Sequence, residues 1–129
     1  MVQKIGHIDE LKGVWRGSAK LNPHILKQLK QSVIITSTGA STRIEGSRMS
    51  DDEVACLVRG LKTKSPQGRD AEEVAGYADL LGRIFDNYKI FKLTEGQILQ
   101  FHEILLHFSS KDKGQKGIYK SSDNIVVAR

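Results

Sequence analysis

Residues 70–88 read DAEEVAGYADLLGRIFDNY, and their apolar members recur at helical spacing rather than in strand alternation. Val74, Tyr77, Ala78, Leu81, Ile84, Phe85 and Tyr88 fall on one face of a helix, the cleanest amphipathic pattern in the chain. Such a stripe must be covered by another element, so this stretch commits the chain to a mainly α fold.

The segments on either side obey the same period. Lys62 to Arg69, with Pro66 and Gly68, is a loop. Before it, Ser50 and Glu53 have capping-box spacing, and Asp51 and Asp52 suit the positive end of a helix dipole. Val54, Leu57, Val58 and Leu61 give that helix its buried face. Downstream, Thr94 and Gln97 predict a second capping box, and Ile98, Phe101, Leu105 and Phe108 face inward from the helix it starts. Upstream, Asn22 caps a helix whose first position is Pro23, where the missing N–H costs nothing. Leu26, Leu29 and Val33 continue it, and the β-branched run Val33-Ile34-Ile35-Thr36 weakens it, so it is predicted to reach about Thr38.

Residues 1–21 read as irregular, with Trp15 as their one large anchor. Beyond the last helix, Ser109 to Gly117 is a polar, lysine-rich loop. Ile118-Tyr119-Lys120 and Ile125-Val126-Val127 then read as short strands around a turn. The predicted architecture is a small bundle of about four helices with a short C-terminal β-hairpin, over residues 22–129. A terminal hairpin with no third strand and no covering helix is marginal, which leads us to expect a longer parent protein.

Composition narrows the function classes. The 129 residues are 39% hydrophobic and 27% charged, enough apolar material for a core. The formal charge of +5 raises nucleic acid as a partner. However, the basic residues are spread along the chain, and the one cluster, Lys111, Lys113, Lys116 and Lys120, has only Tyr119 to stack on a base. Solvated surface is the better reading of that charge. Cys56 is the only cysteine, which excludes a disulfide framework, and its neighbours Val54, Ala55, Leu57 and Val58 predict a packed thiol. No apolar run is long enough to span a membrane, and Met1 to Gly13 lacks a signal-peptide core, so a cytoplasmic setting is expected. Gly114, Gly117, Lys120 and Ser121 suggest a phosphate loop only superficially, because Tyr119 stands where glycine must precede the lysine. His102 and His107, five apart, lie on different faces of a helix and do not share a metal.

The least ordinary stretch is Ser41-Thr42-Arg43-Ile44-Glu45-Gly46. Ser41 and Glu45 are i and i+4, so one helical turn projects both from one face, and Gly46 can end that turn in the left-handed region. On physical grounds alone the same residues also read as a helix end with a solvated acid.

The pattern Ser-x-x-x-Glu-Gly resembles the inhibitory motif of Fic-type AMP-transferring proteins, in the class that carries it ahead of the catalytic core. The surroundings are similar in order. Val33 to Glu53 resembles the family's inhibitory helix and the helix after it, and Glu72-Glu73-Val74-Ala75-Gly76-Tyr77 the acidic start of the next core helix. Leu93-Thr94 with Ile98, Phe101-His102 and Leu105-Leu106 resembles the family's Leu-Thr and aliphatic-His stretch. Gly117-Ile118-Tyr119-Lys120 with Asn124 to Val127 resembles the opening of its flap hairpin. The likeness runs from about residue 22 to the end. It departs at Lys120, where the family usually has arginine, and in lacking the His-Pro-Phe-x-x-Gly-Asn-Gly-Arg loop, which would lie beyond Arg129.

The resemblance implies the regulatory portion of a protein adenylyltransferase, inactive by itself. Glu45 would block the ATP pose, Ser41 would orient Glu45 by hydrogen bonding, Ile44 would anchor the turn and Gly46 would release the chain. Thr42 and Arg43 complete the motif, and Ile125, Val126 and Val127 would belong to a flap that docks the target segment. The implied partners are the rest of the Fic core and a protein target, without membrane or nucleic acid, and homo-oligomerisation stays open. No cofactor is expected in this chain, whereas ATP and Mg²⁺ are implied for the parent. A competing reading is a basic helical module that binds nucleic acid or protein and has no enzymatic parent.

Overall fold

A computed structural model of the chain describes residues 2–17, 22–61 and 63–121. Five α-helices make up the regular structure of these residues: α1 (Val2–Gly17), α2 (Pro23–Ile44), α3 (Asp51–Gly60), α4 (Arg69–Asn87) and α5 (Glu95–Leu105). The chain divides into two compact units, residues 1–32 and 33–129.

In the first unit, α1 occupies a stretch expected to be irregular. Its apolar residues Ile5, Ile8, Leu11 and Val14 follow every third position, so each lags the last by about 60° around the axis and no stripe forms. All four are more than half exposed. What the sequence does supply is local: His7 lies 3.7 Å from Glu10, and Lys12 3.7 Å from Asp9, both one turn apart. At the start of α2, the His24 amide donates to the Asn22 side chain at 2.9 Å, the N-cap bond its sequence predicts.

The second unit holds the core. The β-branched run does not end α2, which continues six residues beyond the predicted Thr38 to Ile44. Burial explains the difference, since Ile34, Thr38, Gly39 and Thr42 are all buried and tertiary packing outweighs the modest propensity cost. α3 begins with a complete capping box: Ser50 Oγ accepts from the Glu53 amide, and the Ser50 amide donates to Glu53 Oε2 at 2.8 Å. Hydrogen bonds from the Ser50 backbone, and then from its side chain, hold the Glu53 carboxyl below its ordinary pKa. Val54 is completely buried. Cys56 is exposed rather than packed, because it lies opposite the face that Val54 and Leu57 turn inward.

α4 packs on both α3 and α5. Val74, Ala75, Gly76 and Ala78 are buried in its N-terminal half, while the predicted stripe rises to the surface further on, with Phe85 38% and Tyr88 64% exposed. α5 passes so close to Gly76 that a β-carbon there would collide with the carbonyl oxygen of Leu105. Thr94 caps α5 by accepting from the Gln97 amide at 3.2 Å, but the Gln97 side chain donates to Gln100 instead of completing a capping box. Ile98 is 48% exposed and no residue of α5 is fully buried, so its inward face is covered only in part. Phe91 meets Phe101 edge to face at 5.3 Å and ties the α4–α5 connection to α5.

After α5, Ser110 donates from its amide and its hydroxyl to Glu72 Oε2, at 3.0 and 3.1 Å, anchoring the loop to the start of α4. Lys116 Nζ donates to the His107 carbonyl at 2.6 Å, a cation set against orphan carbonyls past the end of a helix. The predicted hairpin is not seen: Ile118, Tyr119 and Lys120 are not in a strand, and the proposed second strand lies outside the described residues. Among the described residues, no helix is long and apolar enough to cross a membrane.

Thr38 makes one prediction here. Its side chain is completely buried and its Oγ1 has no hydrogen-bond partner among the described residues. Thr38→Val keeps the shape and removes a desolvated hydroxyl, so urea unfolding should show a gain of about 1 kcal/mol. A loss would mean that the hydroxyl has a partner in solution.

Candidate functional site

Ser41 to Gly46 forms the last turn of α2 and its exit, as the i, i+4 spacing predicts. Gly46 has φ +101°, a left-handed conformation, and nothing lies within 4 Å of the place its β-carbon would take. Backbone conformation, not crowding, is therefore what requires glycine at this position. The Gly46 amide donates to the Arg43 carbonyl at 3.1 Å and the Ser47 amide to the Thr42 carbonyl at 3.0 Å. These paired bonds are the Schellman stop, in which the last carbonyls of a helix are satisfied by the amides just past it.

That stop is fastened to the unit on two sides. Arg43 Nη1 lies 2.8 Å from Asp51 Oδ1 and donates to the Met49 carbonyl at 3.3 Å, bridging the end of α2 and the start of α3. Both side chains of this pair are about half exposed, so its contribution is to direction more than to stability. Gly39 gives the pair room, because a β-carbon there would press on both Asp51 Oδ1 and the Arg43 guanidinium. Thr42 turns inward, its hydroxyl donating to the Thr38 carbonyl at 2.9 Å.

Two motif residues behave differently from what the resemblance implies. Ser41 Oγ donates to the Tyr77 hydroxyl of α4 at 3.0 Å rather than to Glu45, so it fixes the helix and not the acid. Ile44 is 84% exposed and anchors nothing in this unit; the turn is held by the Arg43 bridge and the Gly46 stop. Glu45 is exposed, and among the described residues no hydrogen bond or ion pair engages its carboxylate. The turn therefore presents an unengaged carboxylate and an adjoining isoleucine at a helix end held by the Gly46 stop and the Arg43–Asp51 bridge.

Comparison with family models, with curated proteins and with solved structures finds no match. Ile125, Val126 and Val127, the expected flap, lie outside the described residues. Among the described residues no cluster of histidine, cysteine, aspartate or glutamate is arranged to hold a metal. His102 is half-buried on α5, whereas His107 lies past the end of that helix, exposed, with its ring edge-on to Phe108 at 4.9 Å.

One feature has no signal in the sequence. Ile98, Leu99 and His102 of α5 face Gly114, Gln115 and Ile118 to Ser121 across a groove of about 560 Å³. Its walls come from a helix and a loop that the sequence gives no reason to pair.

Proposed function

We propose that this chain is the regulatory portion of a Fic-type protein adenylyltransferase and that Glu45 is its inhibitory carboxylate. The observation that carries the proposal is the free Glu45 carboxylate, held at the end of α2 by a glycine-dependent stop and the Arg43–Asp51 bridge. A carboxylate offers a guanidinium the same two-point acceptor as a phosphate, so a rigidly presented glutamate can occupy an arginine that would otherwise bind the terminal phosphate of ATP. Exposure of Ile44 beside it suits a helix end that seats against a further protein surface.

The described residues offer no ligand set for Mg²⁺, and the loop from Gly114 to Ser121 lacks the glycine that a phosphate cradle needs before its lysine. No chemical step is assigned to this chain; ATP and Mg²⁺ belong, by resemblance, to the parent. Its role is to place Glu45 and, by resemblance, to start the flap.

The decisive test is the gene itself together with labelled ATP. The reading frame past Arg129 should encode a His-Pro-Phe-x-x-Gly-Asn-Gly-Arg loop. A polypeptide that includes it should transfer label from α-labelled ATP, and residues 1–129 alone should transfer none. A frame without that loop, or labelling by residues 1–129 alone, would sink the proposal. Salt-dependent DNA binding by the chain would instead favour the basic-module reading.

A further inference from the structure

Two chain exits in the second unit are built alike. Past α2, the buried Ser47 donates its amide to the Thr42 carbonyl at 3.0 Å, and the next amide, that of Arg48, donates to Asp70 Oδ2 at 3.0 Å. Past α5, the buried Ser109 donates its amide to the Leu106 carbonyl at 3.0 Å, and the next amide, that of Ser110, donates to Glu72 Oε2 at 3.0 Å. In each case a carboxylate takes the first amide that the preceding turn leaves over. Both carboxylates belong to the first turn of α4.

Acids are favoured at that end of a helix whatever they bind, and Gly68 closes the start of α4 with no side-chain cap bond. The helix dipole does not account for where the two carboxylates point. Glu73, in the same stretch, pairs locally with Arg69 at 2.7 Å, whereas Asp70 and Glu72 reach amides 22 and 38 positions away in sequence. An ionised carboxylate makes a strong, directed bond to an amide, and an amide moves only with its chain, so each clip fixes a path of the backbone. Arg48 lies three residues past Glu45, and Ser110 opens the loop that runs to Ile118, Tyr119 and Lys120. We infer that the first turn of α4 is a shared mount, in which Asp70 is a positioning residue for the Glu45 turn and Glu72 for the loop that leads to the flap. Their regulatory meaning rests on Glu45 as the inhibitory carboxylate; the clips themselves do not.

The clips are tested on residues 1–129 by amide hydrogen exchange. Asp70→Ala should speed exchange of the Arg48 amide about five- to tenfold and leave Ser110 within about twofold, and Glu72→Ala should do the reverse. Asp70→Asn keeps an acceptor oxygen, so its Arg48 amide should exchange closer to the wild-type rate. Loss of dipole support alone would act on Asn and Ala alike and speed both amides together. That pattern, or no change at either amide, overturns the mount. The consequence is read in a polypeptide that includes the catalytic loop, where Asp70→Ala should raise self-modification about threefold and Glu72→Ala should leave it within about twofold. Activation by Glu45→Gln without activation by Asp70→Ala would show that Asp70 does not position the acid. If neither activates, the inhibitory reading fails, and the exchange pattern still decides the mount.

Discussion

Gly76→Ala should lower the thermal midpoint of the second unit by about 10–20 °C, the largest stability effect expected of any single methyl group in this chain. Glycine inside a helix ordinarily costs stability, so alanine would be expected to gain about 1 kcal/mol at a neutral position. Here the sign reverses. The added β-carbon would meet the backbone carbonyl of Leu105, which no rotamer change can move aside, so α5 must shift away from α4. Overpacking of this kind costs about 1–3 kcal/mol, and the upper end is apt where the obstacle is main chain. Gly82→Ala is the matching control on the same helix. A β-carbon there finds only Ile34 Cδ1, 3.9 Å away, an ordinary contact, so calorimetry should show a midpoint unchanged or raised. If both variants melt alike, the close approach of α5 at Gly76 is not present in solution.

That pair also shows what the sequence could and could not disclose. The stripe from Val74 to Tyr88 announces a helix and its inner face, because amphipathic period is a local property. The Ser50–Glu53 box is legible for the same reason, since all its donors and acceptors lie within one turn. Gly76, by contrast, looks like a defect in a good helix; its purpose is visible only when a segment some thirty residues later crosses it. A helix end is hard to read in sequence where local and tertiary terms compete, as at the end of α2. Val33 to Thr36 argued for stopping α2, whereas burial of Thr38, Gly39 and Thr42 carries it through. α1 carries no such signal, because its apolar residues drift around the axis instead of forming a stripe. In the candidate site, Gly46 as a stop was legible from residue type alone. The partner of Ser41 was not, because Tyr77 is thirty-six positions away and its hydroxyl competes successfully with Glu45. The groove was invisible in the sequence for a related reason: its two walls lie in stretches that meet only in the folded chain.

Glu45→Gly should raise self-modification by on the order of tenfold or more in a polypeptide that joins this chain to a Fic catalytic loop, a change equivalent to about 1.4 kcal/mol or more of lost inhibition. The measurement is incorporation of label from α-labelled ATP at matched protein concentration. Glycine at this position removes the carboxylate, but it also loosens the exit of α2 beside Gly46, where a flexible residue already stands. Glu45→Gln separates the two effects. It preserves the backbone and the side-chain length, yet a carboxamide has only one acceptor oxygen and no charge to set against a guanidinium. Activation by both variants assigns the effect to the carboxylate; activation by glycine alone assigns it to the helix end. Ser41→Ala gives the third arm. Because its hydroxyl serves Tyr77 and not Glu45, its loss should leave inhibition largely intact and act on stability, by about 1 kcal/mol. A Ser41→Ala protein as active as Glu45→Gly would mean that the serine orients the acid after all. Unchanged labelling in every Glu45 variant would remove the inhibitory role from this turn and leave it an ordinary, well-made helix stop.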